Sequence, residues 1–169
     1  ITRILQLDKN GVVVLFEDDM WPYWKQDLVK RLDRTIPAEV RERIIFSPWL
    51  KDPADFISLI ATSDVVLVPF HFGIGSTAAM TSVTGTPLVT KPGEFLRGKV
   101  GEGYCKMLGV TECIAEDTER YAQKAVEIAC DRLLREKISA KILRNNSVLY
   151  DDLQAVDDFV NLLQSVKLE

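Results

Sequence analysis

Short runs that are apolar at every position alternate along this chain with longer stretches whose apolar residues recur at helical spacing. That alternation narrows the possible folds more than any other feature. A strand covered on both faces has no polar side to show and reads as an unbroken apolar run. Such runs occur at Val12–Phe16, Ile44–Phe46, Val65–Phe70 and Leu88–Thr90, with a weaker one at Glu112–Ile114. Helical spacing is expected over Trp24–Arg34, Ala54–Ala61, Thr77–Val83, Leu96–Leu108, Tyr121–Cys130, Asp131–Asn145 and Leu149–Val166. Asp52-Pro53 marks a helix start, a capping carboxylate followed by a proline in the first turn. Strand and helix in alternation imply an α/β fold with a Rossmann-like parallel sheet, helices on both faces and a helical C-terminal tail. In that tail Leu149, Leu153, Val156, Phe159, Val160, Leu163 and Val166 form one apolar stripe, expected to pack on the domain's own sheet, with a neighbour outside this chain as the alternative. Residues 1–169 read as a single domain. The opening Ile-Thr-Arg-Ile-Leu lacks a methionine and starts in mid-helical spacing, so a fragment of a longer chain is expected.

Charge and side-chain inventory exclude several classes. With 21 basic against 25 acidic residues the net charge is -4, which leaves no electrostatic footprint for nucleic acid. No apolar run approaches the roughly 20 residues that span a bilayer, and no signal peptide is visible. Cys105, Cys113 and Cys130 are odd in number and share no Cys-x-x-Cys spacing, so neither a disulfide framework nor zinc is supported. His71 is the single histidine, too few for a histidine-based metal cluster. A soluble, cytoplasmic domain without a metal or a resident cofactor is expected.

The chemistry concentrates between Asp64 and Glu94. A strand ends, a loop with Gly73 and Gly75 follows, and a short helix begins near Ser76. Glycine lets backbone come close to a ligand or take positive φ. Free N–H groups at the start of that helix, with the Ser76 and Thr77 hydroxyls, suit a phosphate. In an open parallel sheet such a loop lies at the carboxyl edge of the strands, where ligands bind. A strand-to-helix turn that needs glycine for its own geometry is the plainer alternative.

Two motif readings compete here. Gly73-x-Gly75-x-x-Ala78 matches a dinucleotide fingerprint, with Glu94 about where an acid would grip a ribose. Against NAD binding, the loop follows a third strand and its helix is short. Glu17-Asp18-Asp19 after the first strand suggests a phosphoacceptor receiver domain. That reading needs an aspartate closing the Val65–Phe70 strand, and Val68, Pro69 and Phe70 stand there, so Asp18 and Asp19 read as solvated loop acids.

An ordered set of motifs carries a third reading. Arg43-Ile-Ile-Phe-Ser-Pro48, Ser63-Asp64-Val65, the Gly-x-Gly-Ser-Thr loop, Gly85-Thr-Pro-Leu-Val-Thr90, Pro92-Gly-Glu94 and Lys106-Met-Leu-Gly109 follow one another in an order and spacing that resemble the C-terminal half of the O-GlcNAc transferase/SPINDLY glycosyltransferases, family 41. The resemblance runs from about Ile1 to the end and is strongest to bacterial members, where this half commonly follows tetratricopeptide repeats and an N-terminal catalytic half. It implies a GT-B fold, in which this chain is the donor-binding half and the nucleotide sugar, a UDP-sugar, lies in the cleft between halves. Gly73, Gly75, Ser76 and Thr77 then fall on the loop that holds the donor pyrophosphate. Leu50 falls near the position whose main chain reads the base. Phe56 stands where animal members carry a histidine against the uridine, and stacking on a base and plain core packing both remain open for it. Glu94 and Lys91 follow the next strand and would face the cleft, Glu94 toward donor hydroxyls; a plain surface lysine is the simpler reading of Lys91. His71 lies on the cleft edge just before the loop, with ligand contact and a structural role both open for it.

The departures from the pattern matter as much. Met80 occupies the place of the family's ribose-binding acid and can accept only weakly through sulfur. Ser76 and Ile74 replace the asparagine and glycine of many bacterial relatives. The family's phosphate-neutralising lysine precedes the first helix and has no counterpart in this chain, and no catalytic residue is identified. The resemblance implies partners outside this chain, namely the N-terminal half and a protein Ser/Thr acceptor. A degenerate nucleotide-sugar scaffold, without catalysis, stands as the alternative.

Overall fold

The structure, a computed structural model, describes residues 1–17 and 20–166; the acids Asp18 and Asp19 lie outside the described residues. Helix α1 (Thr2–Leu7) leads into strand β1 (Val13–Phe16), then α2 (Pro22–Thr35), α3 (Ala38–Arg41) and β2 (Ile44–Ser47). Helix α4 (Pro53–Thr62), β3 (Val66–Leu67), α5 (Ser76–Thr84), β4 (Leu88–Val89) and α6 (Val100–Met107) follow, and α7 (Thr118–Cys130), α8 (Arg132–Asn145) and α9 (Leu153–Ser165) complete the order. Every strand pairing is parallel: β1 with β2 in the register Val13↔Ile44, β3 with β4 in the register Val66↔Leu88, and Thr90 bridging Ile114. Parallel neighbours need a crossover, and here each crossover carries a helix.

Local chemistry explains most boundaries. Asp52 accepts a hydrogen bond from the Ala54 N–H, with Pro53 in the first turn of α4. The β3–β4 ladder runs from the Val66 N–H on the Pro87 carbonyl to the Val68 N–H on the Val89 carbonyl and ends there, just before Pro69. Gly85 ends α5 in the left-handed region at φ 73°. Beside it the buried Thr86 hydroxyl donates to the Ile60 carbonyl at 2.9 Å. Much of the Gly85-Thr86-Pro87 motif is therefore helix-end architecture. Arg43, at the head of the Arg-Ile-Ile-Phe motif, donates to the carbonyls of Asp8 (2.8 Å), Gly11 (3.0 Å) and Leu5, closing the C-terminus of α1.

Two apolar clusters form the interior. The larger gathers Val68, Ala78, Leu88, Val89, Cys105, Cys113, Tyr121, Ala125, Ile138 and their neighbours, and the smaller gathers Leu5, Val13, Leu32, Val40 and Ile44. Leu67 packs against both. Both residues of β4 are buried, as strands covered on both faces must be. The β1–β2 pair departs from that expectation, since its register neighbours Val14 and Ile45 are exposed and leave one face uncovered.

Three further expectations are corrected. Leu96–Leu108 is not one helix: Leu96–Gly98 forms a 3-10 turn before α6, because Gly98 lies backbone to backbone against Gly93. Glu112–Ile114 is a 3-10 turn at Thr111–Cys113, and only Ile114 joins the sheet. Of the C-terminal stripe only Leu149 packs on the core; from Leu153 onward its residues are exposed. The Tyr150 hydroxyl meets the Ser82 hydroxyl at 2.8 Å and the Ala79 carbonyl at 3.0 Å, pinning the chain to α5. Asp151 then turns at φ 53°. Helix α9 leaves the body, with Leu153 74% and Phe159 60% exposed.

Candidate functional site

The strands form two separate two-stranded parallel pairs, β1–β2 and β3–β4; His71, Gly73, Gly75, Ser76, Thr77 and Glu94 lie after the carboxyl ends of β3 and β4, and Leu50 and Phe56 after that of β2. The β3–α5 loop is the best defined. The Gly73 N–H donates to the Pro69 carbonyl at 2.7 Å, and Gly73 sits at φ 89°, where a side chain is strained. A Cβ on Gly73 would stand 2.4 Å from the Arg97 carbonyl oxygen, so the loop lies directly on the turn after β4. That turn is closed by the Gly93 N–H donating to the Gly98 carbonyl at 3.0 Å and the Gly98 N–H to the Phe95 carbonyl at 2.9 Å.

Gly75 differs from Gly73 in kind. It is the residue before α5, and a Cβ there would meet no atom within 4 Å. Beyond it Ser76 is exposed and Thr77 half-buried, while Ala78 behind them is fully buried and anchors the helix. The Ala78 N–H is taken by the Gly75 carbonyl, and no side chain caps the helix. The Ser76 and Thr77 N–H groups meet no protein acceptor among the described residues. Positive end of the helix dipole, open N–H groups and two hydroxyls coincide on one exposed edge, a combination that holds anions.

The remaining candidates divide in two. His71 and Glu94 are exposed on the two turns that Gly73 and Gly98 hold together, so the structure brings both beside the loop. Leu50 and Phe56 belong to the other strand pair, following β2. The half-buried Phe56 ring packs on Phe16 at the end of β1, 4.9 Å between centroids and inclined by 55°. Met80 is half-buried in the second turn of α5. Glu17, the described member of the acidic run, pairs with Lys25. No three His, Cys, Asp or Glu side chains among the described residues are grouped to hold a metal.

Two contacts escaped the sequence reading. Lys91, whose simpler reading is a surface lysine, is half-buried, and its ammonium sits 5.3 Å above the Phe70 ring. Phe70 in turn meets Tyr121 edge-on at 5.1 Å, and the buried Tyr121 hydroxyl donates to the Val68 carbonyl at 3.0 Å. Burial pushes the Tyr121 hydroxyl well above its ordinary range, so it serves as a fixed donor. Thr90 is fully buried with its hydroxyl unpartnered among the described residues, packed against Gly101 where any Cβ would stand 2.8 Å away. Neither feature has a local motif, since both depend on strand neighbours distant in the sequence.

Comparison with known proteins decides the relationship. The model of Glycosyl transferase family 41 matches residues 3–159. The chain belongs to that family. Along 82 residues, 47% of this chain, it is 35% identical to a UDP-N-acetylglucosamine–peptide N-acetylglucosaminyltransferase of Caenorhabditis elegans, of which it covers 7%. Among solved structures, the K341M mutant of Thermobaculum terrenum O-GlcNAc transferase superposes with a TM-score of 0.76 at 19% identity, over 89% of this chain and 29% of that one. This family 41 chain thus has the α/β architecture of an O-GlcNAc transferase and spans under a third of that relative's length. No helix among its described residues is long and apolar enough to cross a membrane.

Proposed function

We propose that this family 41 chain is the donor-binding half of a protein O-glycosyltransferase. In this reading a nucleotide sugar, a UDP-sugar, lies along the carboxyl edge with its diphosphate on Gly73, Gly75, Ser76 and Thr77. Glu94 faces the sugar hydroxyls, His71 borders the diphosphate, and Leu50 and Phe56 border the base. The observation that carries the reading is the open first turn of α5, with its unengaged Ser76 and Thr77 N–H groups beside a glycine whose Cβ position is empty.

In transfer, an acceptor hydroxyl from a protein Ser or Thr bonds to the anomeric carbon as the bond to the diphosphate oxygen breaks. Negative charge grows on the departing diphosphate. The N–H groups and hydroxyls of Ser76 and Thr77 would stabilise that charge without reorganising, which is how preorganised donors lower a barrier. Acceptor and proton-accepting groups come from outside this chain in the proposal, so the isolated chain binds donor without transferring it. A cytoplasmic setting is part of the proposal, supported by three unbridged cysteines.

Isothermal titration of the chain with UDP, GDP and NAD tests the reading. Saturable UDP or GDP binding, selective over NAD and weakened at least tenfold by Ser76→Ala with Thr77→Ala, is the expected result. Saturable NAD binding without UDP binding overturns it. Met80 favours a second reading, a decayed site kept as a scaffold, because a thioether stands where the family carries an acid. Met80→Asp separates the two, since a large gain in UDP affinity identifies decay and no gain identifies a site built differently.

A further inference from the structure

We infer that Lys91 is an anion-holding residue of this edge, supplying the positive charge for the donor's diphosphate; the inference rests on the donor-site reading above. Leu88 and Val89 of β4 pair with Val66 and Leu67 of β3, and continuing that register sets Lys91 beside Pro69, at the point where β3 gives way to the glycine loop. Pro69 and Gly73 are joined by the 2.7 Å hydrogen bond that shapes the loop, so Lys91 leaves the sheet at the base of that loop.

The side chain is held. Its ammonium lies over the Phe70 face, and Phe70 is wedged on Tyr121, whose hydroxyl is tied to β3. An aromatic face attracts a cation without neutralising it and leaves its N–H donors available. Among the described residues eight Lys or Arg side chains pair with a carboxylate, and Lys91 has no carboxylate within ion-pair distance. A lysine positioned by an aromatic stack, lacking a carboxylate and set at the carboxyl edge of a chain of net charge -4, is arranged for an anion that arrives from solution. The Ser76–Thr77 N–H groups give the diphosphate direction; Lys91 gives it charge.

The test uses the full chain, with UDP, inorganic pyrophosphate and uridine as probes. Lys91→Met and Lys91→Gln should each weaken UDP and pyrophosphate about tenfold, the lower end of what a charge-assisted hydrogen bond contributes at a partly exposed site. Both should flatten the salt dependence of UDP binding, and neither should move uridine binding or the melting midpoint. Lys91→Arg should retain affinity within about threefold, because it keeps the charge and the ring contact. Lys9→Met, which removes one charge before β1 at the opposite edge, should change nothing. Unchanged UDP affinity in Lys91→Met and Lys91→Gln, with UDP binding lost in the Ser76/Thr77 variant, overturns the role of Lys91 and leaves the donor site standing. Equal losses for uridine and UDP also overturn it, by showing a structural role. Failure of the wild-type chain to bind UDP or pyrophosphate overturns both readings together.

Discussion

Gly73→Ala and Gly75→Ala are the same chemical change two residues apart, and the structure predicts opposite consequences. At Gly73 the new methyl meets two penalties. The backbone stays at φ 89°, where a side chain costs about 1–2 kcal/mol. Its Cβ also falls 2.4 Å from the Arg97 carbonyl oxygen, a backbone atom that moves only with the whole turn, and overpacking of that kind costs about 1–3 kcal/mol. Together they come to about 2–5 kcal/mol, a substantial share of the roughly 5–15 kcal/mol that holds a domain folded. At Gly75 the methyl meets nothing within 4 Å, so the overpacking cost is absent and stability should change by under about 1 kcal/mol. Urea unfolding followed by circular dichroism measures both. With a slope of about 2 kcal/mol/M, Gly73→Ala should lower the midpoint by about 1–2.5 M and Gly75→Ala by under about 0.5 M. Nucleotide titration should rank them the other way among molecules that remain folded, because a methyl on Gly75 stands where the diphosphate would approach. A Gly73→Ala loss below about 1 kcal/mol, or equal losses at the two sites, would refute the assignment of Gly73 to loop packing and Gly75 to ligand approach.

Three other outcomes follow from named groups. Burial raises the thiols of Cys105 and Cys113, the latter to about 12, whereas Cys130 is exposed, so a maleimide at neutral pH should label one thiol in the native protein and three in denaturant. Burial raises the Glu112 carboxyl, but its hydrogen bond from Lys141, a backbone hydrogen bond and the charges of Lys141 and Lys137 outweigh that and leave it lowered. Its contribution is therefore complete above the unfolded carboxylate value and fades as pH falls through the lowered one; Lys141→Met should reduce the loss of stability between about pH 5 and pH 3 in acid titrations. Phe159→Ser with Leu163→Ser should leave the melting midpoint within about 2 °C of wild type, since neither residue is buried, and a larger drop would mean that α9 packs on the body.

Much of the architecture was legible because it depends on short-range chemistry. The Asp52 cap, the apolar strand runs and the helical periods of α7 and α8 act within a few residues, and a sequence displays them directly. What escaped depends on residues that meet only after folding. Gly73 and Gly75 look alike in a motif, and the positive φ of Gly73 and the Arg97 carbonyl beside it separate them. Lys91 looks like any surface lysine until β3 brings Phe70 beneath it. The α9 stripe has an amphipathic pattern, which states that a face wants cover and not what covers it. The whole-family relationship was legible from ordered motifs, although Arg43 and Thr86 within them turn out to secure helix ends.

The contact of Gly73 with Arg97, and of Gly98 with Gly93, has a consequence for timing as well as for shape. Two loops joined through backbone, without intervening side chains, have few alternative arrangements left to sample. Their conformational freedom is lost when the domain folds, so a ligand has little ordering left to impose. Association should then proceed in a single kinetic phase, its rate rising linearly with ligand concentration up to high excess, with no slower step of loop closure behind it.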